Sequence, residues 1–253
     1  MIDTVAVTRY VTPLREGGSL PGVVEGDDLG TYVCKFFGAG QGARVLAAEV
    51  IVAGIAERIG LATPRTVALD LDPEIARYEA DEEVQDLLNA SAGLNLGTDF
   101  LPGAFGFDGD VPSGADPAKV VWLDAFVANV DRTWRNPNLL VWHDTLFVID
   151  HGASLYFHHS WTGGVGDPGR FAGAPWSAED HVFGSSLGAV PQIDSEVRAL
   201  LGPEVFADVL AQVPDAWLGP APGVETAEQV RAAYVEFLTA RWESSGWLPG
   251  GSA

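Results

Sequence analysis

Residues 129–152, NVDRTWRNPNLLVWHDTLFVIDHG, contain Asp131, Asn136 and Asp150 together with two short apolar runs. Asp131 and Asn136 are five positions apart, and Asp150 ends the second apolar run. Pro137 keeps this segment out of a helix, so a loop can bring the side chains together. Carboxylate and amide oxygens suit Mg²⁺ when substrate phosphates complete its shell. The stretch therefore indicates a metal and phosphate site, and the alternative is an ordinary loop in which the asparagines build turns.

The composition narrows the partners that the chain can have. Of its 253 residues, 47% are hydrophobic, which is enough to bury a core in one large domain or two lobes. The net charge of −21 argues against binding to nucleic acid or stable docking on an anionic membrane. The single cysteine, Cys34, and an N-terminus unlike a signal peptide lead us to expect a soluble, cytoplasmic protein.

Hydrophobic periodicity predicts a β-rich first half and a helical second half. Residues 43–60 repeat apolar side chains at helical spacing and end at a glycine, so they predict a helix. Strands are predicted at 5–12, 22–26, 31–37, 64–72 and in the two apolar runs of the opening stretch, with an Asp-Asp-Leu-Gly turn at 27–30. Residues 72–91 read as helical or mixed, 118–130 as a helix, and most of 194–246 as helices.

Lys35 is one of only two lysines in the chain and alternates with Val33 and Phe37 on a predicted strand. A lysine among apolar neighbours is costly unless something pairs with it. Glu49 is a lone acid on an apolar face of the helix 43–60. A strand lysine paired with a helix glutamate is how a protein kinase holds its phosphate-binding lysine. The alternative is a Lys35 that reaches water and a Glu49 on a solvated face.

The spacing of Asp131 and Asn136 is also that of the catalytic-loop Asp and Asn of protein kinases. There the Asp orients the acceptor hydroxyl and the Asn offers an oxygen to Mg²⁺. Asp150, at a strand end before His-Gly, takes the position of the metal-binding Asp of a D-F-G triplet. Each motif alone is weak, and their common order along the chain favours a kinase.

The segments VDRTWRNPNLLV and LFVIDHG resemble the catalytic core of the HipA-like and phosphatidylinositol 3/4-kinase-like branch of the kinase superfamily. GGSLPGVVEGDDLGTYVCKFF and the helix after it resemble the N-lobe of small bacterial HipA-like proteins. The resemblance covers roughly residues 15–157. It implies these roles: Asp131 as catalytic residue, Asn136 and Asp150 as Mg²⁺ ligands, Lys35 as phosphate-binding lysine with Glu49 as its partner, and Gly17, Gly18 and Ser19 over the phosphates.

By this resemblance we expect a bilobal, protein-kinase-like α+β fold. Residues 1–106 would form a small antiparallel N-lobe with one helix and a linker, and residues 107–253 a mainly helical C-lobe. The implied activity is Mg²⁺- and ATP-dependent phosphoryl transfer, with a protein Ser/Thr hydroxyl as the favoured acceptor. A pseudokinase or nucleotide-binding regulatory module, and a lipid or small-molecule kinase, remain alternatives. Adenine is expected at residues 93–104, where Asp99 would contact ribose.

Several positions depart from the typical kinase pattern. The chain has no G-x-G-x-x-G, Val130 stands where Arg usually precedes the catalytic Asp, and His151 replaces the Phe of D-F-G. Arg132 and Arg135 either neutralise phosphate or lie on the surface. Expectations for other residues are structural: His158 and His159 in a surface loop, Trp122, Phe126 and Trp134 in the core, and Cys34 buried.

Overall fold

A closed five-stranded barrel forms the first part of the chain in the computed structural model, which describes residues 1–14, 20–39, 42–177 and 179–249. Its strands are β1 (Thr4–Pro13), β2 (Gly22–Gly26), β3 (Thr31–Lys35), β4 (Thr66–Leu71) and β5 (Gly93–Asp99), hydrogen-bonded in the order β1-β2-β3-β5-β4. The turn between β2 and β3 is held by Asp28, whose carboxylate accepts a hydrogen bond of 2.9 Å from the Gly30 N–H. The predicted hairpin is therefore confirmed.

One pairing in the barrel is parallel, so the expectation of a wholly antiparallel sheet was wrong. Residues 4–6 of β1 pair in parallel with residues 68–70 of β4, while the rest of β1 pairs with β2. The long β1 extends beyond its hairpin partner, and its unpaired backbone groups need a second strand. The helical crossover between β3 and β4 provides the chain length that a parallel return requires.

Two α-helices accompany the barrel, so the expectation of one helix in this part was also wrong. Helix α1 (Ala43–Arg58) confirms the strongest periodic signal and is buried almost all round. Helix α2 (Glu82–Ala90) follows a 3-10 helix at Pro73–Tyr78. Asp81 caps α2 by accepting a 3.0 Å hydrogen bond from the Glu83 N–H. The short, acidic α2 buries only Val84 and Leu88, which is why its periodicity was ambiguous.

A helix and a hairpin bracket the stretch that carries the candidate catalytic residues. Helix α3 (Pro117–Val127) ends when Ala128 adopts a left-handed φ of 55°. Strands β6 (Phe105–Gly106), β7 (Leu139–Trp142) and β8 (Thr145–Val148) then form a small sheet in that order. The β7–β8 turn has two residues with positive φ, the type that matches the twist of paired strands.

The last third of the chain is helical, and its helices from residue 190 onward confirm the prediction for 194–246. It contains α4 (Pro168–Ala172), α5 (Val190–Arg198), α6 (Pro203–Leu210) and α7 (Ala227–Glu243), with 3-10 helices at Tyr156–Gly163, Gly184–Ala189 and Asp215–Trp217. Within the described ranges, every helix is too short or too polar to cross a membrane.

In the part of the chain that the structure describes, buried apolar residues form two clusters, and α1 belongs to the larger one. The smaller cluster fills the barrel and includes Tyr32 and Cys34, which confirms that the cysteine is buried. The larger cluster joins α1, α3 and the C-terminal helices and reaches the barrel through Ala68 and Leu96. Helix α1 therefore packs against both the sheet and the helical part, which holds Glu49 between them.

Candidate active site

Lys35, at the end of β3, is paired with two carboxylates. Its Nζ contacts Oε1 of Glu49 and lies 2.7 Å from Oδ1 of Asp150. The other oxygen of Glu49 accepts a 2.8 Å hydrogen bond from the His151 N–H. The side chains of Lys35 and Glu49 are only 20% and 5% exposed, so the alternative of a solvated Lys35 and Glu49 is excluded.

Strand register explains why these side chains meet. Lys35 pairs directly with Leu96 of β5, and residues opposite each other in a pair share one face of the sheet. Leu96 is fully buried in the cluster that contains α1, so this is the face that α1 covers. Glu49 lies on α1 and is buried there. Because side chains alternate between the two faces of β3, Lys35 points towards α1. Glu49 is the only acid among the buried α1 residues that the structure describes.

The charges of Lys35 and Asp150 stabilise each other. Burial by itself lowers the pKa of Lys35, but the carboxylates of Glu49 and Asp150 outweigh it, and the pKa is raised. Burial by itself raises the pKa of Asp150, but Lys35 outweighs it, and the pKa lies below its usual value. Lys35 and Asp150 are therefore charged at neutral pH. Burial raises the pKa of Glu49, and the neighbouring Lys35 opposes that rise. The carboxylate of Asp150 thus brings negative charge to the side of the cluster where a metal cation would bind.

The β7–β8 hairpin brings Asp150 back to the loop of Asp131. The Ile149 N–H donates a 3.1 Å hydrogen bond to the Asn138 carbonyl, so the two ends of the hairpin are adjacent. Asp150 then adopts a left-handed φ of 54°, a conformation that Asp tolerates better than most residues. The chain turns sharply there, and the Asp150 carboxylate points to Lys35.

Asp131 and Asn136 are hydrogen-bonded to each other. The Nδ2 atoms of Asn136 and Asn138 donate to Oδ2 of Asp131 at 2.9 and 3.3 Å. The Asp131 N–H donates a 3.0 Å hydrogen bond to Oδ1 of Asn129. Since the Asn136 amide donates through Nδ2, its Oδ1 atom is the one that a metal ion can use.

These donors suit a metal ion that shares its shell with a substrate. Among the residues that the structure describes, no three His, Cys, Asp or Glu side chains form a ready-made metal site. The partly exposed Asp150 carboxylate and the Asn136 amide offer two hard oxygen ligands. Mg²⁺ commonly binds one or two such ligands and takes the rest from phosphates and water. The residues present therefore fit Mg²⁺ held together with a phosphate ligand.

A family model described as HipA-like kinase matches residues 7–163, which include every residue of this site. The chain belongs to the HipA-like kinase family. The family assignment supports a kinase-type phosphotransferase. None of the curated proteins matches the chain in sequence.

A solved kinase structure resembles this chain in fold. The Helicobacter pylori proinflammatory kinase CtkA superposes with a TM-score of 0.54 at 11% identity, covering 95% of this chain and 94% of CtkA. The Golgi casein kinase gives a TM-score of 0.48 at 10% identity, covering 95% of this chain and 74% of its own. With Mn/ADP bound it gives 0.45 at 10% identity, covering 97% and 74%. TM-scores below 0.5 do not establish a shared fold, so the structural likeness depends on CtkA.

The structure separates one predicted nucleotide contact, Asp99, from the Lys35 cluster. Asp99 pairs with Tyr32 and so lies on the opposite face of the sheet from Lys35, with its carboxylate 4.0 Å from Arg65. Its contact with ribose stays a prediction that this geometry does not favour. The glycine turn at residues 17–19, namely Gly17, Gly18 and Ser19, lies outside the described residues.

Arg132 is fully buried, so both roles considered for it from the sequence were wrong. Its Nε donates a 2.7 Å hydrogen bond to Oδ2 of Asp124, and neither side chain is exposed at all. The periodic pattern did not reveal Asp124 as a site residue. The available signal was its position as a lone acid in the apolar run VVWLDAFV of α3.

Predictions for the aromatic residues Trp122, Phe126, Trp134 and His158 had mixed outcomes. Trp122 and Phe126 are buried as predicted, but Trp134 is 59% exposed and stacks under the Arg135 guanidinium at 4.1 Å. His158 is fully buried and its Nδ1 lies 2.9 Å from the Tyr234 hydroxyl, so the surface prediction was wrong for this residue. His159 is exposed, as predicted. The chain is helical there rather than extended, which removes the alternation on which that interpretation depended.

Proposed function

We propose that this HipA-like kinase transfers the γ-phosphoryl group of Mg²⁺-ATP to a hydroxyl group, most favourably a Ser or Thr side chain of a protein. The observation that carries the proposal is the cluster of Lys35, Glu49 and Asp150 beside the loop of Asp131 and Asn136. These residue types match those that hold phosphates, Mg²⁺ and the acceptor in protein kinases, and they come from five separate positions in the chain.

Lys35 and Glu49 form the phosphate-binding half of the proposed site. Glu49 is held at both oxygens, by Lys35 and by the His151 N–H, so it orients the ammonium group rigidly. Asp150 lies on the other side of that ammonium group. We infer that ATP phosphates take over this contact and that Asp150 turns to the metal ion.

Asp150 and Asn136 would hold Mg²⁺, which neutralises charge that develops on the transferred phosphoryl group. Asp131 would orient the acceptor hydroxyl and receive its proton. Two amide donors on Oδ2 keep the Asp131 carboxylate in one orientation, which is the pre-organisation that in-line transfer needs.

The nucleotide would lie against the face of the barrel that carries Lys35. Val23 and Val33 are paired on this face, and they offer an apolar surface to a purine. Residues 100–104 lead from β5 towards β6, so the adenine would contact the linker region within 93–104. The proposed lobes are therefore residues 1–106 and 107–253. The strongly acidic chain favours a soluble protein partner in the cytoplasm over nucleic acid or a membrane.

A pseudokinase or nucleotide-binding regulatory module is the second candidate. This candidate is favoured by the direct contact of 2.7 Å between Lys35 and Asp150, because that contact engages the carboxylate that would bind the metal ion. Val130 and His151 also depart from the catalytic pattern. A lipid or small-molecule kinase shares the same nucleotide chemistry and differs in the acceptor alone.

Thermal unfolding with ATP and Mg²⁺ tests the nucleotide site. ATP at about 100 times its Kd should stabilise the wild type by about 2.7 kcal/mol. Lys35→Met and Asp150→Asn should reduce the shift, whereas Asp110→Asn, which changes an exposed loop carboxylate, should keep it. A wild type without a shift at millimolar ATP would refute the nucleotide site.

Turnover then separates the candidates. If ATP binds, the wild type should phosphorylate protein acceptors and Asp131→Asn should be inactive while it still binds ATP. Binding without any turnover would favour the regulatory module. Turnover that survives in Asp131→Asn would remove Asp131 from its proposed role.

A further inference from the structure

His151, next to the proposed metal ligand Asp150, is held at two of its atoms. Its backbone N–H donates to Glu49, and its ring Nδ1 lies 3.3 Å from Nη2 of Arg132. A guanidinium group can only donate, so Nδ1 must be the acceptor and the ring proton is on Nε2. The ring is almost fully buried. His151 therefore cannot leave its position without breaking a contact to a buried charge.

Arg132 connects both ends of the hairpin to His151. Its Nη1 donates to the carbonyl oxygen of Ile149 at 3.1 Å and also to that of Asn138. The first carbonyl directly precedes Asp150, and the second belongs to the loop that holds Asp131. One side chain thus touches the backbone beside the metal ligand, the backbone of the catalytic loop and the His151 ring.

Asp124 anchors this arrangement in α3. Its Oδ2 accepts from Arg132, and its Oδ1 accepts a 2.9 Å hydrogen bond from Asn129, whose own Oδ1 holds the Asp131 N–H. His181 adds a third contact, with Nε2 at 2.9 Å from Asp124 Oδ2. The His181 Nδ1 accepts from the Phe183 N–H at 3.0 Å, so its Nε2 carries the proton that reaches Asp124.

We propose that Arg132 and His151 are positioning residues that lock Asp150 to the catalytic loop of Asp131. In typical protein kinases the Phe of D-F-G packs in an apolar site, and its position sets the active or inactive state. Here the same position carries a ring fixed by hydrogen bonds, and its displacement would leave Arg132 Nη2 buried without that acceptor. The proposal rests on the function proposed above, because it assigns Asp150 to Mg²⁺.

The test compares His151→Phe with His151→Asn. Phenylalanine restores the typical kinase residue but removes the acceptor for Arg132, whereas the asparagine Oδ1 takes the place of the ring Nδ1. The readout is the Mg²⁺ concentration that gives half of the ATP-induced thermal shift and half of the maximal turnover. Loss of a hydrogen bond to a charged group predicts roughly a tenfold higher Mg²⁺ requirement for His151→Phe. His151→Asn keeps an acceptor for Arg132, so its Mg²⁺ requirement should stay close to that of the wild type.

A second variant serves if His151→Phe does not fold, as judged by its unfolding curve without ligand. Arg132→Lys keeps the charge but not the planar fork, so it cannot reach Asp124, the carbonyls and His151 together. It should raise the Mg²⁺ requirement in the same way. A wild-type Mg²⁺ requirement in the folded variant would overturn the proposal.

The outcomes also distinguish this proposal from the one on which it rests. If the wild type responds to Mg²⁺-ATP but His151→Phe matches it, the positioning role alone fails. Equal losses in His151→Phe and His151→Asn would also overturn it, because the hydrogen bond would not be the cause. A wild type that shows no response to Mg²⁺-ATP overturns the kinase proposal and this one together.

Discussion

Replacing Asp124 with alanine should destabilise this protein far more than a typical surface substitution. Asp124 is fully buried and faces the equally buried guanidinium of Arg132 at 2.7 Å. Burial by itself raises the pKa of Asp124, but Arg132 and then His181 outweigh it, and the pKa is lowered. The carboxylate is therefore charged in the folded protein, and its removal leaves the charge of Arg132 in the interior without a carboxylate.

The expected loss is about 3–5 kcal/mol of unfolding free energy, the usual cost of removing one partner of a buried ion pair. Asn129 and His181 lose an acceptor as well, which favours the upper part of that range. A domain is typically stable by about 5–15 kcal/mol, so the change should be visible as a large shift in a urea titration. The midpoint should fall clearly while the slope stays the same.

Two controls isolate the buried charge as the cause. Glu25→Ala removes an ion pair with Arg9 whose side chains are 41% and 63% exposed, and it should cost about 0–1 kcal/mol. The double variant Asp124→Leu with Arg132→Met removes both charges and should recover a large part of the loss. A loss below about 1 kcal/mol for Asp124→Ala, or a double variant as unstable as the single one, would refute the reasoning.

Acidification from pH 7 to 5 should lower the urea midpoint, because burial holds the pKa of His151 and of His158 at about 3. Both folded-state pKa values lie below the usual histidine value of about 6.5. The stability that the two neutral rings contribute is therefore complete above that pH, and it is lost below it as the histidines of the unfolded chain take up protons. A urea midpoint that rises on acidification would contradict the buried neutral rings. Gly152→Ala would place a methyl group 2.7 Å from a methyl carbon of Val45 and should cost about 1–3 kcal/mol in thermal unfolding. Gly114→Ala, which meets no atom within 4 Å, is its control, and equal stability of the two variants would argue against the tight packing.

Much of the local structure could be predicted from the sequence because it depends on neighbouring residues. The helix at 43–60, the turn at 27–30 and the hairpin before Asp150 have strong periodic or turn signals, and the structure confirms them. Lys35 and Glu49 stood out because a charge among apolar residues needs a partner. That argument depends on chemistry within a few residues of each position.

The errors concern features that neighbouring residues do not determine. The parallel pairing of β1 with β4 and the burial of Arg132, His158 and Asp124 all depend on segments that are distant along the chain. Periodicity shows which face of a strand or helix is apolar, but not what covers it. An arginine in a polar loop has the same local pattern whether it meets water or a buried aspartate.

The sequence by itself determined the strongest helix, the hairpins, the D-x₄-N spacing and the residue types that can serve a kinase. Only the tertiary structure decided that Lys35 meets Asp150 across 115 positions and that His181 meets Asp124 across 57. Local structure follows from hydrogen bonding and side-chain alternation among near neighbours. A contact between distant residues must offset the entropy of closing the chain, and the packing of α1, α3 and the hairpin as a whole provides that stabilisation.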